Sequence, residues 1–423
     1  MTSTDGQTLP FLTRVQVTNY RSIASCDVRP GPLTVLAGPN AAGKSNFLDA
    51  IRFLRDALNS SPAQALESRG GLQEVLHRDA SGRPADHFRI CLHAHLPQTK
   101  RPALDALYLL EVGTHPEGDP RPVLRREKLL INGKPLINGM QHEVQFPHES
   151  AQAQEPPAAW RDDTLHLPKH ARENTEAWAL YARLRAMRFY ELLTPVLRAV
   201  DDTPGSMTGK NTKTGRPLGE QGEHLPRVLA TLAERYPWIK ETIDGYLATM
   251  IDNAAGLDGF NVPEADLAYV TGRFVSEGGH VAKVDRRSLS EGTLRLAGVL
   301  TALFQPHVLL GEFPLIGIEE PEISLHPPML GALYDALVAA ARNTQVMVTP
   351  QSADLLDNAA ADPAHLLVVQ DDGRGTQIGP IDAAGRQLLD DGVLTLPELL
   401  RSGEMRPATT PGTPGGAAQA EER

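Results

Sequence analysis

Apolar residues along this chain fall into short runs and helical stripes rather than one long block. Residues 33–37 (LTVLA) form an apolar run that stops at Gly38, which predicts a buried strand. Directly after it, Phe47, Ala50, Ile51, Leu54 and Leu58 recur at helical spacing and predict a helix over 44–58. Residues 11–17 alternate in strand fashion, and 88–96, 106–112 and 123–131 predict further strands, with Asn132-Gly133 as a turn signal. Residues 178–200 predict a helix carrying Arg183, Arg185 and Arg188. The stretch 224–250 reads as two helices parted near Pro237, and 269–274 with 280–284 as hairpin strands around Gly278-Gly279. In the last third the pattern predicts a helix at 290–304, a buried strand at 314–318 and a helix at 328–342. A buried strand at 345–348 and a short strand near 366–370 follow.

Between these elements, 141–170 is rich in Pro, Gln and His, and 201–222 is dense in Gly, Thr and Lys; both predict loops. The tail 407–423 is low-complexity and is expected to be disordered. Strands alternating with helices near both ends predict an α/β core with inserted β and helical material in the middle. The expected division is an N-terminal half at 1–135, an insertion at 136–285, a C-terminal half at 286–406 and the tail.

Composition narrows the class. The chain has 423 residues, 41% of them hydrophobic, enough for a sizeable core. Its net charge of −11 is uneven. Residues 301–423 hold 6 basic and 17 acidic side chains, so residues 1–300 are neutral, and no lysine follows Lys283. Such a balance excludes a basic, histone-like nucleic-acid binder, though not a local basic groove. Cys26 and Cys91 are too few for a disulfide framework. No run of 18 apolar residues suggests a membrane span, and the N-terminus lacks signal-peptide character, so the expected location is the cytoplasm.

The strongest chemical signal is Gly38-Pro39-Asn40-Ala41-Ala42-Gly43-Lys44-Ser45, which fits G-x-x-x-x-G-K-[ST] between a predicted strand and a predicted helix. Glycines at 38 and 43 let the backbone wrap a phosphate, and the helix start offers N–H groups to an anion. Lys44 would reach the β- and γ-phosphates of a nucleotide, and the Ser45 hydroxyl would ligate Mg²⁺. A second signal is the strand 315–318, which ends in Glu319-Glu320. Beside the phosphate loop, Glu319 would face the metal and Glu320 an attacking water, as general base or water-orienter.

Further segments carry a family resemblance. Residues 288–295 (SLSEGTLR) look like the ABC signature, with Ser290 and Gly292 in its conserved pattern. Residues 320–327 (EPEISLHP) resemble the E-P-E-x-x-L-H-P run of RecF/SMC-like ATPases, and 344–352 (TQVMVTPQS) resemble the strand and switch that follow it. Residues 19–23 (NYRSI) and 43–51, which include Asn46, fit as well. In this order the motifs resemble the RecF/SMC/OLD-like branch of ABC-type ATPases, or AAA-family ATP-binding proteins, over roughly 11–60 and 285–400. A TOPRIM nuclease domain is not expected after Gln351.

The resemblance implies an α/β P-loop NTPase of ABC type, with a twisted mixed sheet, an antiparallel β-lobe and a helical insertion. It implies ATP and Mg²⁺ as cofactors, bound in a head-to-tail homodimer. In that arrangement Ser290 and Gly292 would contact the γ-phosphate held by Lys44 of the other copy, and Ser324-Leu325-His326 would lie across the interface. Two departures stand out. Glu319 occupies a position that is Asp in transporter ATPases, and Gln351 the switch position usually held by His. Gln can donate a hydrogen bond but carries no titratable proton, which suggests slow or partner-dependent hydrolysis. The glutamine expected where the β-lobe passes into the helical lobe is missing from 188–195, with Gln73 as a weak alternative.

Two other constellations are weaker. Cys91, His93 and His95 share one face of a strand, which fits a half-exposed face better than zinc. Arg121, Arg125, Arg126 and Lys128, then Arg183, Arg185 and Arg188, then Lys210, Lys213 and Arg216 are basic groups that could line a DNA path or be scattered solvated charge. Three outputs follow: a DNA-associated ATPase of repair, recombination or phage defence; a switch that holds an effector protein such as a nuclease; and, least favoured, a transporter ATPase subunit.

Overall fold

A computed structural model describes residues 10–98, 101–114, 121–140, 143–145, 164–203 and 214–408. Strands β1 (Leu12–Tyr20) and β2 (Ile23–Val28) lead into β3 (Leu33–Ala37) and helix α1 (Lys44–Asn59). Then come β4 (His87–Leu96), β5 (Leu104–Thr114), β6 (Pro122–Ile131), β7 (Lys134–Met140) and β8 (Glu143–Gln145). A short strand β9 (Arg188–Tyr190) precedes β10 (Ala254–Val262), β11 (Leu267–Val275) and β12 (Val281–Asp285). The chain closes with β13 (Leu315–Glu319), β14 (Gln345–Thr349), β15 (Leu366–Asp371) and β16 (Thr376–Gly379).

The described residues form three sheets. The β-lobe is an antiparallel sheet in the order β2-β1-β4-β5-β6-β7-β8. The central sheet runs β16-β15-β3-β14-β13-β9, parallel except for the β15–β16 pair. A small antiparallel sheet, β10-β11-β12, packs on the helices Leu225–Arg235 and Pro237–Met250. This is the mixed α/β architecture that the sequence predicts.

The central strands are continuous apolar runs because both their faces are covered. On β3, Leu36 joins a core with α1 and the β-lobe, while Leu33 and Val35 join a second core with the helices Glu291–Phe304 and Pro327–Ala340. Helix α1 buries Phe47, Ile51, Phe53 and Leu54 between the central sheet and the lobe. Each such side chain contributes about 1.5–3 kcal/mol. The site-bearing loop is thereby anchored from below.

Several boundaries differ from the sequence expectation. The helix expected over 178–200 ends at Ala186, and Arg188-Phe189-Tyr190 forms β9, parallel to β13 with Ile318 opposite Tyr190. Phe189 and Tyr190 are both buried, and a short strand covered on both faces has no period to distinguish it from a helix. Within 141–170, Leu167–His170 is a helical turn whose entry N–H groups at His166 and Leu167 donate to the buried Glu127 carboxylate at 2.7 and 2.9 Å. The expected tail begins too early at Pro407: Ile381 bridges to Pro407, and the Ala408 N–H donates to the Pro380 carbonyl at 2.7 Å. Residues 409–423, Lys210 and Lys213 lie outside the described residues. No helix among the described residues is long and apolar enough to cross a membrane.

Candidate active site

The phosphate loop, 38–45, leaves the end of β3 and enters α1. Two glycines are sterically required. A Cβ on Gly38 would stand 1.9 Å from the Val369 carbonyl oxygen, because β15 runs parallel beside β3 and carries Val369 alongside the loop. Gly43 has φ +101°, and a Cβ there would meet the Thr376 hydroxyl at 2.2 Å. Gly43 also caps α1 without a side-chain hydrogen bond, and the first turn has no acidic residue. The helix start therefore presents uncapped N–H groups, which is the electrostatics an anion needs. Ala41 adopts a left-handed φ of 63° within the turn, between Pro39-Asn40 and Ala42. Lys44 is buried and folds back to donate to the Gly38 and Pro39 carbonyls at 2.8 and 3.0 Å.

A bracing network that the motif does not reveal holds this loop. The Asn46 amide donates to the Ser22 hydroxyl at 2.6 Å. Thr376 lies 2.7 Å from the same hydroxyl and donates to the Ala42 carbonyl at 2.9 Å. Residues 22 and 376 are remote in sequence, so only the fold brings them to the loop. Asn46 thereby ties the start of α1 to the turn at Ser22.

The acidic strand end lies alongside. Glu319 pairs in register with Thr349 of β14, and its carboxylate lies close enough to the Ser45 hydroxyl to be influenced by it. Burial pushes the Glu319 carboxyl above its usual range, opposed by the nearby Ser45 hydroxyl. Glu320 follows at φ 49°, with its N–H on the Thr349 carbonyl at 3.2 Å and its own carbonyl accepting from Arg295 at 3.3 Å. The Gln351 side-chain amide donates to the Glu320 carboxylate. Burial lowers the Lys44 ammonium, while the Glu322 and Glu320 carboxylates raise it. Loop, metal-type donors and switch are thus in one place. Since Gln351 already touches Glu320, a Gln351→His variant should raise turnover by roughly an order of magnitude if the missing proton limits the rate; steady-state ATPase assays check this, and unchanged turnover counts against a rate role.

Ser290 and Gly292 lie elsewhere in the same chain. The Ser290 hydroxyl caps the helix Glu291–Phe304, accepting from the Thr293 N–H at 3.1 Å. A Cβ on Gly292 would stand 2.4 Å from the Ser324 carbonyl, so the signature helix packs tightly on the turn after the acidic strand. Both residues line a cavity with Ser324 and His326, and no residue of 38–46 lines it.

A protein-family profile described as "AAA domain, putative AbiEii toxin, Type IV TA system" matches residues 33–90 and 95–357, well over half of the chain. The chain belongs to this AAA family. Its fold is that of SMC head domains. An Smc head bound to the C-terminal winged-helix domain of ScpA matches with a TM-score of 0.52 at 12% identity, covering 89% of this chain and 99% of that one. A Pyrococcus furiosus Smc head with an extended coiled coil, bound to the C-terminal domain of ScpA, also has a TM-score of 0.52 at 12% identity, covering 91% and 100%. No curated protein matches the chain significantly. The AAA-family assignment and the P-loop fold support nucleotide binding and hydrolysis and agree with the RecF/SMC-like reading of the motifs.

For this AAA-family chain, Mg²⁺ is tested by the donors present. Ser45 and Glu319 offer a hydroxyl and a half-buried carboxylate near one another, and desolvation raises the proton affinity of Glu319. Those features fit a hard divalent cation. One further carboxylate nearby has no signal in the sequence. Glu191 directly follows β9, and its charge acts on both Glu319 and Arg295. It lies in the segment 188–195 where the resemblance implies a glutamine, and Gln73 sits on the short helix Leu72–Val75.

The basic groups are largely engaged. Arg125 bonds Asp86 at 2.8 Å, Arg185 bonds Asn59 at 2.6 Å, and Arg183 donates to the Gly311 carbonyl. Arg188 stacks 4.8 Å over the Phe313 ring, and Arg216 donates to Thr203 at 2.9 Å. Cys91 is buried, and His95 contacts Asp105 at 2.7 Å.

Proposed function

We propose that the chain is a Mg²⁺-dependent ATPase of the cytoplasm, gated by head-to-tail dimerisation. One observation carries this reading: the loop, Ser45, Glu319, Glu320 and Gln351 assemble in one chain, while Ser290 and Gly292 face a separate cavity. The γ-phosphate site is therefore half-built in each copy, and a second copy would supply the signature. Gly38–Ser45 would wrap the phosphates, with Lys44 turning from the loop carbonyls to the β- and γ-phosphates. Ser45 and Glu319 would hold Mg²⁺, which supplies charge neutralisation at the phosphates. Glu320 would accept the proton of the attacking water, with Gln351 aligning it.

Two outputs are separable: action on DNA in repair, recombination or phage defence, and control of a partner protein. The pairing of Arg125, Arg183, Arg185 and Arg188 within the chain favours the second. So does the protein partner, ScpA, bound by both similar Smc heads. The family description, which names a toxin of a toxin–antitoxin system, suits phage defence by either route. ATPase measured with and without duplex DNA over a salt series decides. We expect DNA to change turnover by less than about twofold, whereas stimulation that collapses steeply with salt would establish the DNA output.

A further inference from the structure

Beyond the residues already given roles, we infer that Glu322 is a positioning residue that sets the register between the acidic turn and the switch. The pairing of β13 with β14 ends at Glu319 and Thr349, with one further bond from the Glu320 N–H to the Thr349 carbonyl. Past that point the chains diverge: Glu320 and Ser324 take left-handed φ angles of 49° and 64°, and the turn closes through Ile323 N–H to the Glu320 carbonyl at 3.2 Å. The Glu322 side chain continues the ladder where the backbone cannot. One of its oxygens, Oε1, accepts the Gln351 N–H at 2.5 Å and the Ser352 N–H at 2.9 Å. The residue is 5% exposed, and its second oxygen, Oε2, has no hydrogen-bond partner among the described residues.

A buried carboxylate held this way is costly unless its geometry serves something. Here the geometry serves Gln351, gripped at both ends: its backbone by Glu322, its side-chain amide by Glu320. Glu322 touches no phosphate-loop residue by hydrogen bond, so it acts through Gln351 rather than on substrate. Its negative charge also reaches Lys44, which gives the alternative role that a test must separate. Glutamine at 322 would keep an oxygen able to accept both N–H groups while removing the charge; alanine would remove both.

The inference rests on the ATPase reading, and the two fail differently: a wild-type protein without ATP binding or turnover sinks that reading, whereas this one is judged against active wild type. Nucleotide affinity, kcat, KM and the melting curve are measured for full-length E322A, E322Q, Q351A and the double variant E322A/Q351A. The expected result is a kcat for E322A lowered roughly tenfold, with KM and nucleotide Kd within about twofold of wild type. E322Q should recover most of that loss. Adding E322A to Q351A should cost little more, since two residues acting as a unit are not additive. If E322A folds poorly, E322L, which keeps the volume but has no acceptor oxygen, takes its place in every comparison. Wild-type kcat in E322A, equal losses of affinity and kcat in E322A and E322Q, or fully multiplicative effects with Q351A would each overturn the assignment.

Discussion

Replacing Lys44 with alanine should abolish nucleotide binding at concentrations that saturate the wild type, and with it all ATPase activity. Lys44 is buried, and among the described residues its ammonium is hydrogen-bonded by the carbonyls of Gly38 and Pro39, two neutral acceptors. A polyphosphate offers charged acceptors in their place. A hydrogen bond to a charged partner contributes about 1.5–3 kcal/mol, so losing two costs roughly 3–6 kcal/mol, or two to four orders of magnitude in affinity. The variant also removes the cation that offsets the charges of Glu320 and Glu322 beside the phosphate path. Calorimetric titration with ATP checks the affinity, and a melting curve close to wild type confirms that the loop still folds. Binding within tenfold of wild type would remove Lys44 from the phosphate site.

How far such a site can be read from sequence depends on which residues share a local motif. The loop 38–45, Glu319, Glu320 and Gln351 lie at the ends of β3, β13 and β14, whose apolar runs are plain because both faces are buried. The parallel order of those strands then brings their ends together. What stayed hidden has no local signature. β9 is three residues long and follows a helix closely, so the sequence places Glu191 inside a helix. Ser22 and Thr376 brace the loop from opposite ends of the chain, and no spacing rule links them. β10 (AAGLDGFNV) is rich in residues that disfavour strands and owes its conformation to β11 and the helices behind it. The arginine groups looked like a basic surface because their partners, Asp86, Asn59 and the Phe313 ring, are supplied by other segments.

Glu320→Gln should separate binding from turnover more sharply than any other single change. The substitution keeps shape and leaves an oxygen to accept the Gln351 amide, and the backbone contacts of residue 320 to Thr349 and Arg295 do not depend on the side chain. Only the ability to take a proton is lost. General-base catalysis contributes about 10²–10⁴-fold, so turnover should fall by at least two orders of magnitude while ATP affinity stays near wild type. Hydrolysis is also the step that would let the two copies part. With it blocked, ATP should hold the protein as a dimer, because each bound nucleotide would join Lys44 of one copy to Ser290 and Gly292 of the other. Light-scattering mass with and without ATP measures this directly. A variant that keeps wild-type turnover removes Glu320 from catalysis. One that is inactive, binds ATP and stays monomeric retains the catalytic role but rejects the composite site, and the cavity beside Ser290 and Ser324 would then need another occupant.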